Sequence, residues 1–359
     1  MKTKYQILIL GGGGYLGQSI IKLFSKKRSF EVAVIDRYFY IDREKLIKSK
    51  NIKYFKEDIR RTNEKYFKKI NFVIDLSNVS IAPQNHKFYD EMSWEINFEG
   101  RKNNLLLAKK NNIKKYLFPS SCSVYGFNLS KKYLNENSQL NPKSTYAKTH
   151  KAFEKFALDH GNNNFEVISL RLPTLFGFSR RIRFDLIINA MVWDVLETGK
   201  INLLRDGKQR RPFVHVNDVA EAFLFFIKLK NIKANNNVFN IGNNINNINI
   251  LNLAKKIFKI LNVKENISWY GTTDDRSYFV SFNKVNALGF KPLRTIEDGI
   301  LELKMIYKKN KFLRTHETMN MKWLDYLEKI KNSKKNSQED LKILKKKKMY
   351  GGILKIKGV

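Results

Sequence analysis

The stretch that most constrains this chain is Ile7-Leu8-Ile9-Leu10-Gly11-Gly12-Gly13-Gly14-Tyr15-Leu16-Gly17. Tyr5 to Leu10 is an apolar run of strand length. The glycines follow at once, and Leu16, Ile20, Leu23 and Phe24 then recur at helical spacing. A strand passing through a glycine turn into a helix builds a dinucleotide site. The turn lets the backbone approach a pyrophosphate, and the helix N-terminus offers free N–H groups at the positive end of its dipole. Glycines alone would equally suit a loop without a ligand, and Asp36 decides between the two. It closes a second apolar run, Phe30 to Ile35, nineteen residues after Gly17. An acidic side chain at that distance takes the adenosine ribose hydroxyls. Its charge would repel a 2′-phosphate, so the expected cofactor is NAD rather than NADP. No Gly-Lys-Ser/Thr follows the glycines, which excludes a nucleoside-triphosphate P-loop.

Beyond Asp36 the chain keeps alternating. Short strands are expected at Ile52 to Phe55, Phe72 to Leu76, Lys115 to Pro119 and Glu166 to Leu170. A short helical piece is expected at Arg43 to Lys48, a long amphipathic helix at Met92 to Lys110, and another helix at Thr145 to His160. Such alternation predicts an α/β fold, a Rossmann-type doubly wound parallel sheet with ligands at the strand C-termini. From about Leu175 the elements shorten: helices at Phe184 to Glu197, Val219 to Lys228 and Ile250 to Leu261, and a strand at Phe213 to Val216. The expected division is a cofactor domain over 1–174 and a smaller α/β substrate part over 175–310, with returns to the first domain allowed. Residues 311–359 make a helical, lysine-rich extension, solvated from about Lys331.

Composition narrows the setting. The single cysteine, Cys122, excludes an internal disulfide and a cysteine metal cluster, and fits a reducing cytoplasm. No apolar run reaches membrane-spanning length, and Met1-Lys2-Thr3-Lys4 leads into the first strand without a signal-peptide pattern. His86, His160 and His316 have no metal-ligand spacing, so no metal is expected. The formal charge of +35 invites a nucleic-acid reading. The lysines, however, are scattered among abundant Asn, Ile, Phe and Tyr, without an arginine-aromatic recognition patch. No specific nucleic-acid partner is expected, although the charge favours anionic substrates.

At Ser120-Ser121-Cys122-Ser123-Val124-Tyr125-Gly126 and Tyr146-Ala147-Lys148-Thr149-His150 the chain resembles the extended short-chain dehydrogenase/reductases, and among them the NAD-dependent nucleotide-sugar epimerases and dehydratases. Leu170 to Gly177 and Arg210 to Phe223 carry the same resemblance, which spans roughly Lys4 to Lys309. It implies cofactor contacts at Gly11, Gly14, Tyr15, Leu16, Gly17, Asp36, Asp58, Ile59, Leu76, Asn97 and Pro173, with Tyr146 and His150 adding to them. It also implies a nucleotide-diphosphate sugar as substrate and a homodimer. In that chemistry a tyrosine phenolate removes a sugar hydroxyl proton while the carbon beneath gives hydride to the nicotinamide. A serine hydroxyl, here Ser121, aligns the same oxygen. Free tyrosine ionises near pH ~10, so the phenolate needs a cation. The family carries that cation on a lysine four residues after the tyrosine.

Here that position is His150, and Lys151 comes one residue too late. At ~100° per residue, i+4 returns to the tyrosine's face while i+5 turns away from it, and Lys148 points to the opposite side. The expectation is that His150 holds the nicotinamide ribose and, when protonated, stands in for the lysine. Cys122-Ser123 replaces the Asp-Glu pair by which family dehydratases eliminate water. That favours an epimerase or 4-ketosugar reductase making surface-polysaccharide precursors, with Cys122 a candidate acid or base. The resemblance places Arg211 on the diphosphate, Arg276 at a second phosphate contact, and Thr174 where the family often has Asn. The run Arg180 to Arg183 is a further candidate for the substrate, whereas His215 reads as structural. Two alternatives stay open: an NAD-binding regulator without turnover, and a nucleic-acid-binding derivative of the same fold.

Overall fold

The apolar run at the amino end forms strand β1 (Tyr5–Leu10), the glycines turn the chain, and helix α1 (Tyr15–Ser25) follows. The computed structural model describes residues 5–80, 87–126, 133–230, 234–271, 277–309 and 314–332, and four isolated positions up to 343. Strands β2 (Phe30–Asp36), β3 (Ile52–Lys56) and β4 (Phe72–Asp75) come next. Helices α2 (Lys87–Trp94) and α3 (Arg101–Lys110) flank a π-helical turn over Glu95–Gly100. Strand β5 (Lys115–Ser121), helix α4 (Thr145–His160) and strand β6 (Glu166–Leu172) complete the alternation.

The smaller part opens with β7 (Thr174–Phe176), α5 (Ile187–Thr198), β8 (Ile201–Leu204) and β9 (Arg210–His215). Helix α6 (Val216–Lys228) and strand β10 (Asn237–Asn240) then return to the first sheet. After them come β11 (Asn247–Asn249), α7 (Ile250–Leu261), β12 (Ile267–Tyr270), α8 (Asn283–Ala287), α9 (Ile296–Lys308) and α10 (Asn320–Asn332).

The main sheet is wholly parallel, in the order β10-β6-β5-β4-β1-β2-β3. The order reverses between β1 and β4, the switch point at which such sheets bind ligands beyond their strand C-termini. Helices cover both faces, so β1 is apolar on both sides from Ile7 to Leu10. Ile7 and Ile9 pack into the layer with α1 and α6, while Leu8 and Leu10 point into the layer with α3 and α4. A separate core formed by α5, α7, α9 and β8 supports the smaller part. None of the described helices is long and apolar enough to cross a membrane.

Two expectations change. The helix expected over Met92 to Lys110 starts earlier, at Lys87, and is interrupted by the π turn. Hydrophobic spacing cannot reveal such a turn, because it shifts register by one residue while keeping the helix on the same core. The carboxyl-terminal extension docks as well. Trp323 of α10 donates its indole N–H to the Phe39 carbonyl at 3.2 Å, and Tyr89 of α2 donates to Asp325 at 2.8 Å. Trp323, Leu327 and Ile330 form a small apolar cluster against Phe39 and Tyr40. Most of the tail expected to be solvated beyond Lys331 lies outside the described residues.

Candidate active site

The glycine turn is shaped by close approach. Gly11 has φ +75°, and a Cβ there would lie 2.8 Å from the carbonyl carbon of Leu76. Gly17 sits on the turn itself, since its Cβ would fall 2.5 Å from the Gly12 oxygen. Gly14 takes the N-cap position of α1 and brings no capping side chain. The first N–H groups of α1, at Tyr15, Leu16 and Gly17, are thereby left to an anion. Gly13 has a role that the sequence reading missed. Its N–H donates to Asp36 at 2.8 Å, and a Cβ there would press on that carboxylate. Four consecutive glycines conceal which of them the fold requires.

Asp36 also accepts from the Tyr38 N–H at 2.6 Å. Burial pushes its carboxyl above the usual range, and these backbone hydrogen bonds work against that. Asp58 is engaged differently: Arg60 donates to it at 2.6 Å and Arg37 at 3.3 Å. Burial raises the Asp58 carboxyl, but the hydrogen bonds from Arg60 outweigh it, and the net shift is downward. Ile59 follows Asp58 and is buried, as are Leu76 and Pro173. Asn97 lies in the π turn and pins the loop after β4, accepting from the Val79 N–H at 2.7 Å and donating to its carbonyl at 3.3 Å. Beside Gly11, the buried Ser77 hydroxyl has no hydrogen-bond partner among the described residues. The uncapped helix end, the anchored Asp36 and the orphaned Ser77 hydroxyl fit a dinucleotide lying across β1, β2 and β4.

Asp36→Ala is expected to weaken NAD binding and to narrow its margin over NADP. Titration of each dinucleotide into the parent and the variant checks this. Equal or tighter NADP binding by the parent chain would overturn the cofactor preference.

The candidate reactive groups are carried by the end of β5 and by helix α4. Ser121 closes that strand, and its hydroxyl accepts from the Ser123 N–H at 3.2 Å and the Ser123 hydroxyl at 2.8 Å. Helix α4 packs on β5 and on the short turn that follows it. Ser144 caps this helix by accepting from the Ala147 N–H at 3.2 Å, which sets Tyr146, half-buried, in its first turn. The His150 ring meets the Tyr146 ring edge-on, with centroids 4.5 Å apart, while Lys148 and Lys151 are exposed.

The surroundings of His150 and Cys122 run against two expected roles. His150 is buried, with neither ring nitrogen bonded among the described residues, and burial followed by the Arg101 charge holds its pKa well below the usual value. Burial therefore favours the neutral imidazole and works against the expected role as cation. Cys122 points beneath the site into the core, its thiol 3.7 Å from the Arg171 carbonyl, and burial pushes its ionisation far up. Both work against the expected acid-base role of Cys122. Neither outcome is legible in sequence, because both depend on which way a strand-end or helical side chain faces.

A neutral buried histidine also sets a pH dependence. The unfolded chain takes up a proton near pH ~6.5 that the folded chain refuses, so this contribution is complete above that value and declines as pH falls below it. Between neutral and mildly acidic pH, the unfolding midpoint of the parent should fall further than that of His150→Phe. Parallel curves would refute the assignment.

On the substrate side, Arg211 is buried on β9, with its guanidinium 5.8 Å from the Tyr278 ring centre. Thr174 opens β7, paired in register with Phe213. Arg276 lies outside the described residues. The Arg180 to Arg183 run is tied into the protein: Arg180 donates to the Lys45 carbonyl, Arg181 to Asn320, and Arg183 pairs with Asp185 at 2.8 Å. His215 caps α6 and meets Glu302 at 3.0 Å, a structural placement.

Sheet order and glycine turn define a dinucleotide-binding Rossmann protein, and the family match places it in the extended short-chain dehydrogenase/reductase class. The chain belongs to the NAD dependent epimerase/dehydratase family, whose pattern matches residues 7–242, and the cofactor of that family is NAD. It is 24% identical to dTDP-D-glucose 4,6-dehydratase of Mus musculus, the match covering 85% of this chain and 89% of that protein. It is 26% identical to a putative UDP-glucose 4-epimerase of Methanocaldococcus jannaschii, covering 82% and 95%. Among solved structures it is similar to UDP-N-acetylglucosamine 4-epimerase of Methanobrevibacter ruminantium M1 in complex with UDP-N-acetylmuramic acid. That match has TM-score 0.77 and 23% identity, over 86% of this chain and all (100%) of the other.

Proposed function

We propose that this chain is an epimerase or 4-ketosugar reductase acting on a nucleotide-diphosphate sugar, with Tyr146 as the base and Ser121 as the aligning donor. The observation that supports this reading is the half-buried Tyr146 in the first turn of α4, the helix that packs on β5 and on the turn following Ser121. NAD, when bound, supplies the hydride acceptor at the sugar carbon. Gly11, Gly14, Gly17 and Asp36 would hold it, with Asn97 fixing the neighbouring loop. Tyr146 takes the proton from the sugar hydroxyl, and Ser121 orients that oxygen.

Dehydration is disfavoured by the turn after β5. Cys122 is buried, and the Ser123 hydroxyl is spent on Ser121, so these two positions offer no acid-base pair for eliminating water. Synthesis of surface-polysaccharide precursors in the cytoplasm, by a homodimer, belongs to the same reading and rests on the family resemblance.

The test is incubation of UDP-glucose, UDP-N-acetylglucosamine, UDP-glucuronic acid and dTDP-glucose with NAD, and of dTDP-4-keto-6-deoxyglucose with NADH, with products read by NMR. An inverted centre or a reduced keto group is expected. Loss of water would make the chain a dehydratase, and no turnover on any of them would favour an NAD-binding regulator. Arg211 belongs to the same proposal as the diphosphate grip, because a guanidinium matches phosphate oxygens two at a time. Arg211→Ala should weaken binding of the accepted nucleotide sugar by ~2–3 kcal/mol. Calorimetric titration should find NAD affinity unaltered. Unchanged sugar-nucleotide affinity would remove Arg211 from the site.

A further inference from the structure

The segment from Arg314 to Asn332 ties together the two loops that border the dinucleotide crevice. In the main sheet β1 lies between β4 and β2. Whatever joins the loop after β2 to the loop after β4 therefore passes beyond the end of β1, where the glycine turn sits. The first turn of α10 makes that join. Trp323 donates to the carbonyl of Phe39, three residues past Asp36. Asn320 Nδ2 donates at 3.0 Å to the carbonyl of Ser80, three residues past Ser77.

Asn320 is buried and held from three sides. Besides its bond to Ser80, its Oδ1 accepts from Arg181 at 2.6 Å and its N–H donates to Asp185 at 3.1 Å. A buried amide partnered in this way specifies one position, whereas a tail lying loosely on a surface would leave these groups to water.

A second segment borders the same mouth from the substrate side. Ser179 donates at 2.7 Å to the carbonyl of Tyr15, the first residue of α1. Arg183 donates to the Ser80 hydroxyl at 3.1 Å. The chain after β7 thus runs from the helix start to the loop after β4, and the carboxyl-terminal segment rests on it. The Phe184 N–H donates to the Thr318 carbonyl at 2.9 Å, and Arg181 donates to the Glu317 carbonyl at 3.0 Å. Apolar anchorage is modest by comparison with the sheet. Trp323, Leu327 and Ile330 form a small cluster of their own, and Leu324 reaches the neighbouring layer. Such a segment can part from the loops without unfolding the sheet.

We propose that residues 314–332 form a strap over the dinucleotide crevice, which has to part from Phe39 and Ser80 before NAD enters or leaves. The proposal rests on the reading of this crevice as the NAD site. It also bears on the reaction. Epimerisation returns the hydride to the sugar carbon that gave it, so nothing is oxidised or reduced overall and the cofactor need not leave. Net reduction of a keto sugar consumes one NADH per turnover, which then has to be exchanged. A strap that slows exchange suits epimerisation.

The test reads cofactor exchange and needs no sugar. Stopped-flow fluorescence on the full chain follows NADH entry, and its release into excess NAD. Asn320→Ala combined with Trp323→Phe removes both bonds to the loop carbonyls and keeps a ring in the apolar cluster. Release should quicken by ~tenfold or more, the size expected for two ordinary hydrogen bonds. Entry should quicken with it, so that affinity changes less than either rate. Asn320→Ala alone should give a smaller shift of the same kind, and it carries the test if the double variant does not fold. Faster release with unchanged entry would make the segment a direct cofactor contact and overturn the strap. Equal rates in parent and folded variant would overturn it too, leaving the NAD site standing. A parent that takes up no dinucleotide sinks the site reading, and the strap with it.

Discussion

Tyr146→Phe is expected to reduce turnover on the accepted nucleotide sugar by ~10²-fold or more, the range in which a positioned proton acceptor acts. The substitution removes one oxygen and leaves the ring, so its edge-on contact with His150 survives. The Tyr146 hydroxyl makes no hydrogen bond with the described residues, and folding stability should therefore stay within about 0.5 kcal/mol of the parent. NAD affinity should change little, since the glycine turn and Asp36 lie on other elements. Steady-state kinetics, thermal unfolding and an NAD titration on the same preparation separate these effects. Full activity in the variant would move the base elsewhere. Lost NAD binding would show the hydroxyl to be a cofactor contact before anything else.

Gly17→Ala is expected to cost ~3 kcal/mol of stability, at the upper end for an overpacked position, together with most of the NAD affinity. Its Cβ would lie 2.5 Å from the Gly12 oxygen and 2.7 Å from the Gly12 carbonyl carbon and Cα. These are backbone atoms and have no rotamer through which to escape. Relief requires α1 to lift away from the turn, which withdraws its N-terminal N–H groups from a pyrophosphate. Gly14→Ala is the internal control. A Cβ there would meet only the Gly11 oxygen, at an ordinary 3.6 Å. Thermal unfolding with and without NAD should show a lower midpoint for Gly17→Ala and a smaller NAD-induced rise. A variant that binds NAD like its parent would mean that α1 does not set the cofactor position.

The Rossmann reading was open to inspection in the sequence because the determinants are local and periodic. Six apolar runs became the six expected parallel strands. The glycine turn and Asp36 ended up side by side because β1 and β2 pair in register from Tyr5 and Phe30 onward. Helix α4 was equally legible, from Thr145 to His160, since Ser144 marks its start and its apolar spacing is unbroken. The small strands β7, β8, β11 and β12 were not anticipated. Three or four residues carry too little period, and these strands persist by pairing with segments distant in sequence.

What the sequence determined by itself was the cofactor-binding architecture and the family, through motifs whose spacing already encodes strand, turn and helix. It also exposed the departure at position 150, because i+4 on a helix is a fixed direction. Only the tertiary structure decided what that departure means. Burial favours the neutral form of His150, and Cys122 faces the core. The π turn and α3 set the buried Arg101 over the Phe153 ring of α4, a neighbour from far earlier in the chain. Electrostatics at a buried site depends on distance and solvent exclusion, and neither is a property of neighbours along the chain.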